Sequence, residues 1–179
     1  MRIVTTEKYI MLQYTYTIFS FIMLNIQLLE HAGRKSQGQG RVGITCGAFD
    51  LCHYGHILVF EECKSVCDYL IVALQSDPSL DRAYKNKPVQ TITEREGILR
   101  AIRHIDDIVL YDTEADLYAL LQKLPIDVRI IGNDWHGKKY TGWDLPIPMH
   151  FNKRDHGYST SELRRRIHAA EQEKMVDGL

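Results

Sequence analysis

The chain has 179 residues, of which 45% are hydrophobic and 25% charged, and this composition is typical of one globular domain with an ordinary core. Its formal net charge of -1 provides no overall electrostatic attraction for nucleic acid. The four cysteines form no CxxC pair, which excludes a disulfide scaffold and indicates reduced thiols in the cytoplasm.

The first forty residues differ from the rest of the chain. Residues 9–29 carry no charge and are long enough to cross a bilayer as a helix, although polar residues interrupt them. A polar, basic linker follows, and its positive charge would keep the main domain on the cytoplasmic side of a membrane. Three interpretations stay open: a membrane anchor, a misassigned translation start, and a packed accessory helix. We therefore predict a hydrophobic leader and linker over 1–40 and a catalytic domain over 41–179.

Strand and helix patterns alternate after residue 40. The patterns predict strands over 41–46, 68–75, 107–112, 127–132 and 147–151, and helices over 54–67, 91–105, 114–123 and 159–174. A polar, basic loop of 15 residues follows the second strand, and loops of that length are often functional. The alternation predicts an α/β fold: a Rossmann-like, mainly parallel sheet flanked by helices.

Three unusual segments follow predicted strands. They are GAFDLCHYGH at 47–56 after the first strand, GNDWHGK at 132–138 after the fourth, and KRDHGYSTS at 153–161 after the fifth. Ligands of parallel sheets bind outside the carboxyl ends of the strands. The three segments should therefore meet at one edge of the sheet and form a single site.

This edge has the chemistry of a phosphate site. Helix N-termini favour anions, and two helices are predicted to begin there. His53 and His56 lie one helical turn apart, so both imidazoles can donate hydrogen bonds to phosphate oxygens. The hydroxyls of Ser159 and Thr160 can cap the last helix or bind phosphate. Positive charge is added by Lys85, Lys87, Arg95, Lys138 and Arg154.

Other nucleotide and metal motifs are absent from the sequence. Neither GxxxxGK[ST] nor GxGxxG occurs, which argues against a P-loop and a dinucleotide fingerprint. A zinc site built from Cys52, His53, His56 and Cys63 is disfavoured, because the spacing is not that of usual zinc ligands.

Five separated pieces of sequence carry a family resemblance. They are HYGH at 53–56, the loop with Lys85 and Lys87, TEREGILRAIRHIDDIV with Arg95, GNDWHGK, and RDHGYSTS at 154–161. They are similar to HxGH, a basic loop, a helix and strand with an arginine, GDDWxGK and RTEGISTT. From 41 to 167 the chain thus resembles cytidylyltransferases of the HxGH nucleotidyltransferase superfamily, glycerol-3-phosphate cytidylyltransferases in particular.

The resemblance implies an enzyme that transfers CMP from CTP to a small phosphorylated alcohol, such as glycerol 3-phosphate, and releases pyrophosphate. It implies Mg²⁺ as cofactor and a homodimer, for which residues 102–111 offer a partly apolar face. The catalytic residues it implies are His53, His56, Lys85, Lys87 and Arg154. The nucleotide-binding residues it implies are Gly47, Ala48, Phe49, Asp50, Gly55, Arg95, Gly132, Asp134, Trp135, Ser159 and Thr160, with Asp50 also beside Mg²⁺.

Departures from the family pattern leave the substrates open. Ala48 stands where threonine is common, Asn133 replaces aspartate, the pair at 155–156 replaces Thr-Glu, and Tyr158 replaces isoleucine. One alternative is an adenylyltransferase that uses ATP with a sugar phosphate or flavin mononucleotide. The other is a membrane-tethered nucleotide-binding module without turnover. Nucleic acid is not an expected partner, since the arginines at 164–166 are predicted to form a solvated helix face.

Overall fold

Five strands form one parallel sheet in the computed structural model, which describes residues 40–176. The strands are β1 (Val42–Gly47), β2 (Tyr69–Gln75), β3 (Asp107–Tyr111), β4 (Val128–Gly132) and β5 (Met149–Asn152). Their order is β3-β2-β1-β4-β5, and every pairing is parallel. The predicted Rossmann-like α/β fold is therefore confirmed. The connections reverse direction at β1, which places the ligand crevice at the carboxyl ends of β1 and β4.

Four helices flank the sheet close to their predicted positions. They are α1 (Tyr54–Val66), α2 (Ile92–Arg100), α3 (Glu114–Lys123) and α4 (Thr160–Val176), and a 3₁₀ turn spans Asn133–Trp135. Thr91 and Glu94 form the predicted capping box at the start of α2. This helix ends at Arg100 instead of the predicted 105. The amides of Ala101 and Ile102 bond to carbonyls three residues earlier, which tightens the last turn and stops the helix.

The main hydrophobic core lies on one face of the sheet. Phe60 and Cys63 of α1 and Leu99 of α2 pack there with Val128 and Ile130 of β4. Ile98, counted on the apolar side of the second helix from the sequence, is 38% exposed. The second fully buried position of α2 belongs instead to the charged residue Arg95. Helical periodicity thus located the helix but misjudged which side chains it buries.

The described residues do not test two predictions, the apolar membrane segment and the homodimer. The apolar segment at 9–29 lies outside the described residues. Between residues 40 and 176, no helix combines the length and apolar character needed to cross a membrane. The homodimer stays a prediction, and β3 is an edge strand that exposes Leu110 by 43%.

Candidate functional site

A cavity of about 960 Å³ opens at the carboxyl edge of the sheet. It is lined by the last residue of every strand, namely Gly47, Gln75, Tyr111, Gly132 and Asn152. The structure brings most predicted site residues to its wall: Gly47, Ala48, Phe49, Asp50, His53, Gly55, His56, Lys85, Gly132, Asp134, Trp135, Arg154, Ser159 and Thr160. Lys87 and Arg95 do not line it. The three unusual segments therefore meet at one edge, as the element order predicted.

The two histidines of the HxGH segment cap the first turn of α1. Nδ1 of His53 accepts a hydrogen bond from the Gly55 amide at 3.1 Å, and Nδ1 of His56 accepts one from the His53 amide at 3.3 Å. Their rings stack with centroids 4.0 Å apart. Because each Nδ1 is an acceptor, the proton of each neutral ring lies on Nε2. The cap thus leaves Nε2–H of His56 for a ligand, while Nε2–H of His53 faces the Thr160 hydroxyl.

Both imidazoles are held in the neutral form. Burial, with His53 and Arg154 nearby, lowers the pKa of His56 to about 3. Burial, with His156 and Arg154 nearby, also lowers the pKa of His53. The Thr160 hydroxyl donates to the Asp50 carbonyl at 3.2 Å and lies 3.4 Å from Nε2 of His53. A neutral imidazole with its proton on Nε2 can donate a hydrogen bond to a phosphate oxygen.

The backbone around the histidines adopts unusual conformations. Phe49, Leu51 and Arg154 have positive φ angles of 48°, 49° and 39°. Non-glycine residues seldom adopt this region, and they cluster at functional sites where the surrounding structure holds them. Packing holds Phe49, whose ring lies 5.2 Å from Phe60 and 5.4 Å from His56 between centroids. The loop after β1 is therefore fixed by the core beneath it.

Asp50 joins three segments of the site. Its Oδ1 accepts hydrogen bonds from the amides of Val89 and Gln90, both at 3.0 Å, and its Oδ2 accepts one from Arg164 at 2.6 Å. Burial alone would raise the pKa of Asp50, but these hydrogen bonds together lower it. Both carboxylate oxygens accept hydrogen bonds from the protein, and the contact of Asp50 with Mg²⁺ stays a prediction. No cluster of three or more potential metal ligands occurs within residues 40–176.

Arg95 is placed under the site, where it contacts protein backbone. Its guanidinium donates to the carbonyls of Ala48 at 2.8 Å and Gln75 at 2.7 Å, to Gln90 at 3.2 Å, and to Ser76. The side chain is 2% exposed. The structure therefore gives Arg95 a positioning role for the loops after β1 and β2, where the resemblance implied nucleotide contact.

The basic loop distinguishes its two lysines. Lys85 lines the cavity, whereas Lys87 takes part through its backbone carbonyl, which accepts a hydrogen bond from Arg164 at 2.9 Å. This placement favours Lys85 as the lysine that reaches a ligand.

The segments that follow β4 and β5 add a cation and hydroxyl groups to the site. Arg154 lies 3.6 Å from the carboxylate of Asp134, so it is only weakly engaged and can turn to a ligand. The Ser159 hydroxyl accepts from the Glu162 amide at 3.1 Å, as an N-cap does. The Asp134 carboxylate lies over Gly132, so a side chain at this position would have to displace it.

Two contributors were missed by sequence reasoning. Arg164 was assigned to a solvated helix face, but it holds Asp50 and the Lys87 carbonyl together. His156 received no role, yet it lines the cavity and its Nδ1 is buried without a partner among residues 40–176. No local pattern signals the role of Arg164, because its partner Asp50 lies 114 residues away in sequence.

Comparison with known proteins places the chain among relatives. The sequence profile described as Cytidylyltransferase-like matches residues 44–166. The chain is 35% identical over 126 residues to the bifunctional protein HldE of Gluconacetobacter diazotrophicus, with 69% of this chain and 26% of the relative aligned. It is 31% identical over 143 residues to bifunctional protein HldE of Helicobacter pylori, with 79% and 29% aligned. The chain thus spans less than a third of the length of these curated relatives.

A solved structure also resembles the chain. It is the lipopolysaccharide core biosynthesis protein from Thermoplasma volcanium GSS1, with 20% identity, a TM-score of 0.48, and 74% of this chain and 90% of that chain covered. A TM-score below 0.5 carries no argument about ligand or fold. The fold assignment rests on the sheet order and the profile match.

Proposed function

Because the chain belongs to the cytidylyltransferase-like family, we propose that it is a nucleotidyltransferase that joins a nucleoside monophosphate to a small phosphorylated acceptor. The observation that carries the proposal is the pair of stacked histidines at the start of α1, whose Nδ1 atoms are used by the helix cap, so that Nε2 of each neutral ring carries the proton. They lie in one cavity with Lys85, Arg154 and Thr160.

The proposed reaction is a displacement at phosphorus. A phosphate oxygen of the acceptor attacks the α-phosphorus of the nucleoside triphosphate, the bond from the α-phosphorus to the bridging oxygen of the β-phosphate breaks, and pyrophosphate leaves. The acceptor phosphate is already ionised, so no general base is required. Positioning and charge stabilisation account for the catalysis.

Each residue has a stated part in this reaction. His53 and His56 donate to α-phosphate oxygens, whose negative charge shifts as the bond breaks. Lys85 and Arg154 offset the charge of the phosphates. Thr160 lies at the N-terminus of α4, where free amides favour the leaving pyrophosphate. Asp50, Arg95 and Arg164 act through the loops that they hold.

We place ATP and a sugar phosphate ahead of CTP and glycerol 3-phosphate. The curated relatives described above are bifunctional HldE proteins, and neither name describes a cytidylyltransferase of glycerol phosphate. The chain also departs from the glycerol phosphate enzymes' pattern at Ala48, Asn133 and Tyr158. A cavity of about 960 Å³ suits two substrates of this size held together.

The test is pyrophosphate release by the full-length protein with Mg²⁺ in the buffer. ATP and CTP are assayed in parallel, each with glycerol 3-phosphate, several hexose and heptose phosphates, and flavin mononucleotide. We expect release with ATP and a sugar phosphate. Release with CTP alone would overturn the nucleotide assignment and leave the reaction class in place.

A control separates catalysis from contamination. His56→Asn should lower the rate of release by ~10²- to 10³-fold, while His168→Ala, an exposed change on α4, should leave it unchanged. A folded protein that binds nucleotide but releases no pyrophosphate with any acceptor would favour the non-catalytic binding module instead.

A further inference from the structure

Arg129 is a charged residue in the middle of a buried strand. It is 4% exposed and lies in β4 between Val128 and Ile130, both members of the main core. Side chains alternate along a strand, so Arg129 points to the opposite face of the sheet. There its Nη1 lies 3.1 Å from the position that a Cβ on Gly142 would take, beside Leu121 of α3. Its side chain also lines the cavity.

The guanidinium of Arg129 is poorly compensated. It donates to the Thr141 carbonyl and lies 5.3 Å from the centre of the Tyr140 ring. No carboxylate of residues 40–176 forms an ion pair with it, and its buried Nε has no hydrogen-bond partner there. Burying a charge without a counterion is costly, so such a group calls for an explanation.

The surroundings do not supply the missing negative charge. Glu114 is the carboxylate of this part of the cavity, and it pairs with Arg82 at 2.9 Å and accepts from the Thr141 hydroxyl. Arg82 is compensated further, since its Nε lies 3.7 Å from the Asp81 carboxylate and its Nη2 donates to Gln75. Glu114 is thus committed to Arg82 and Thr141, and Arg129 is the guanidinium here that forms no ion pair within residues 40–176. This end of the cavity, formed by Arg82, Glu114, Arg129, Tyr140 and Thr141, is called the arginine chamber below.

We propose that the arginine chamber binds a second anionic group of the acceptor, a carboxylate or a phosphate, distant from the phosphate that attacks. This inference rests on the proposed function, because it assigns the part of the acceptor that does not react. Arg129 is then a specificity residue: the ligand supplies the counterion that the protein lacks. The acceptor is accordingly a phosphorylated compound with a further acidic group.

The test measures ligand binding to the full-length protein by titration calorimetry, without turnover. Two matched pairs separate the sources of the anion: 3-phosphoglycerate against glycerol 3-phosphate, and fructose 1,6-bisphosphate against fructose 6-phosphate. In the wild type, the doubly anionic member of at least one pair should bind about 10- to 100-fold more tightly, as expected for hydrogen bonds to a charged group.

Arg129→Met should remove this preference and leave nucleotide binding unchanged. It should also leave the thermal midpoint of the ligand-free protein the same or higher, because an apolar side chain of similar length replaces an uncompensated charge. Arg100→Met, on the exposed end of α2, is the matched control and should change none of these quantities. A merely structural role for Arg129 predicts the reverse, a lower thermal midpoint with the preference kept.

The outcomes distinguish this inference from the proposed function. Equal affinity for both members of both pairs, or a preference that survives in Arg129→Met, overturns the inference even if the enzyme releases pyrophosphate. An Arg129-dependent preference in a protein that releases no pyrophosphate supports the anion site and counts against the enzyme.

Discussion

Arg95 and Arg129 are buried to nearly the same degree, 2% and 4% exposed, but their surroundings differ. Arg95 donates to four backbone carbonyls, whereas Arg129 donates to one and keeps a buried Nε without a partner in the described chain. The difference teaches that burial alone does not assign a role. A buried cation whose donors are used supports the fold, and one with donors left over is suited to a ligand.

The largest expected effect concerns His56. Its Nδ1 accepts a hydrogen bond within the protein, whereas its Nε2 is free to donate to a ligand. His56→Ala should lower the rate of pyrophosphate release by ~10²- to 10³-fold, as the loss of one preorganised donor does. His56→Asn can still accept from the His53 amide through Oδ1, so the free energy of unfolding should stay near wild type while the rate remains low. Steady-state rates and urea unfolding measure the two effects. A rate restored by asparagine would show that His56 acts only as a cap.

Arg95→Met tests the buried arginine whose guanidinium is bonded to protein carbonyls. Four carbonyls, one in a buried and three in part-buried hydrogen bonds, would lose their donor, so we expect the free energy of unfolding to fall by about 3 kcal/mol or more. Urea unfolding of this variant beside Arg129→Met gives a direct contrast. If both variants lost the same stability, the distinction between used and unused donors would fail.

Gly55→Ala examines packing without any polar group. A Cβ there would lie 2.8 Å from Cβ of Tyr158, 3.0 Å from Cε1 of His156 and 3.0 Å from Cε1 of His53. We expect a loss of about 1–3 kcal/mol in unfolding free energy from overpacking. The control is Gly97→Ala in α2, where nothing lies within 4 Å, and a gain of about 0.5–1 kcal/mol is expected there. Thermal or urea unfolding that ranks the two variants alike would contradict the close approach.

A pH dependence of stability isolates one histidine. Burial lowers the pKa of His56 from its ordinary 6.5 to about 3, so the unfolded chain binds a proton that the folded chain excludes. Stability contributed by this exclusion is present above pH 6.5 and is lost as pH falls from 6.5 towards 3. The slope is at most about 1.4 kcal/mol per pH unit. His56→Asn, close to wild type at neutral pH, should become progressively more stable than wild type in urea unfolding as pH falls through this window, and a constant difference would refute the assignment.

Local signals in the sequence located most of the fold. Thr91 with Glu94 marked the start of α2, and β-strands ending in glycine marked β1 and β4. The spacing of His53 and His56 pointed to one face of a helix start, where the structure places them. The end of α2 was misplaced, because the turn after Arg100 is decided by hydrogen bonds that apolar periodicity does not report.

The roles of charged residues were harder to predict. Arg95 was predicted to bind nucleotide and Arg164 to lie on a solvated helix face, since a charged side chain looks the same in sequence whether it is solvated or buried. Asp50 was predicted to lie beside phosphate and Mg²⁺, and the structure adds that its carboxylate also binds Arg164 and amides about forty residues away. Such partners are distant in sequence, so no local pattern records them.

The sequence by itself determined the alternation of strands and helices, the edge of the sheet where ligands bind, and the family, because these depend on short-range periodicity, capping and contiguous motifs. Only the tertiary structure decided which polar groups are left for a ligand. That question depends on how many donors of each side chain are used by residues far along the chain. That number differs between His56, Asp50 and Arg129, and it is fixed only when the chain has folded.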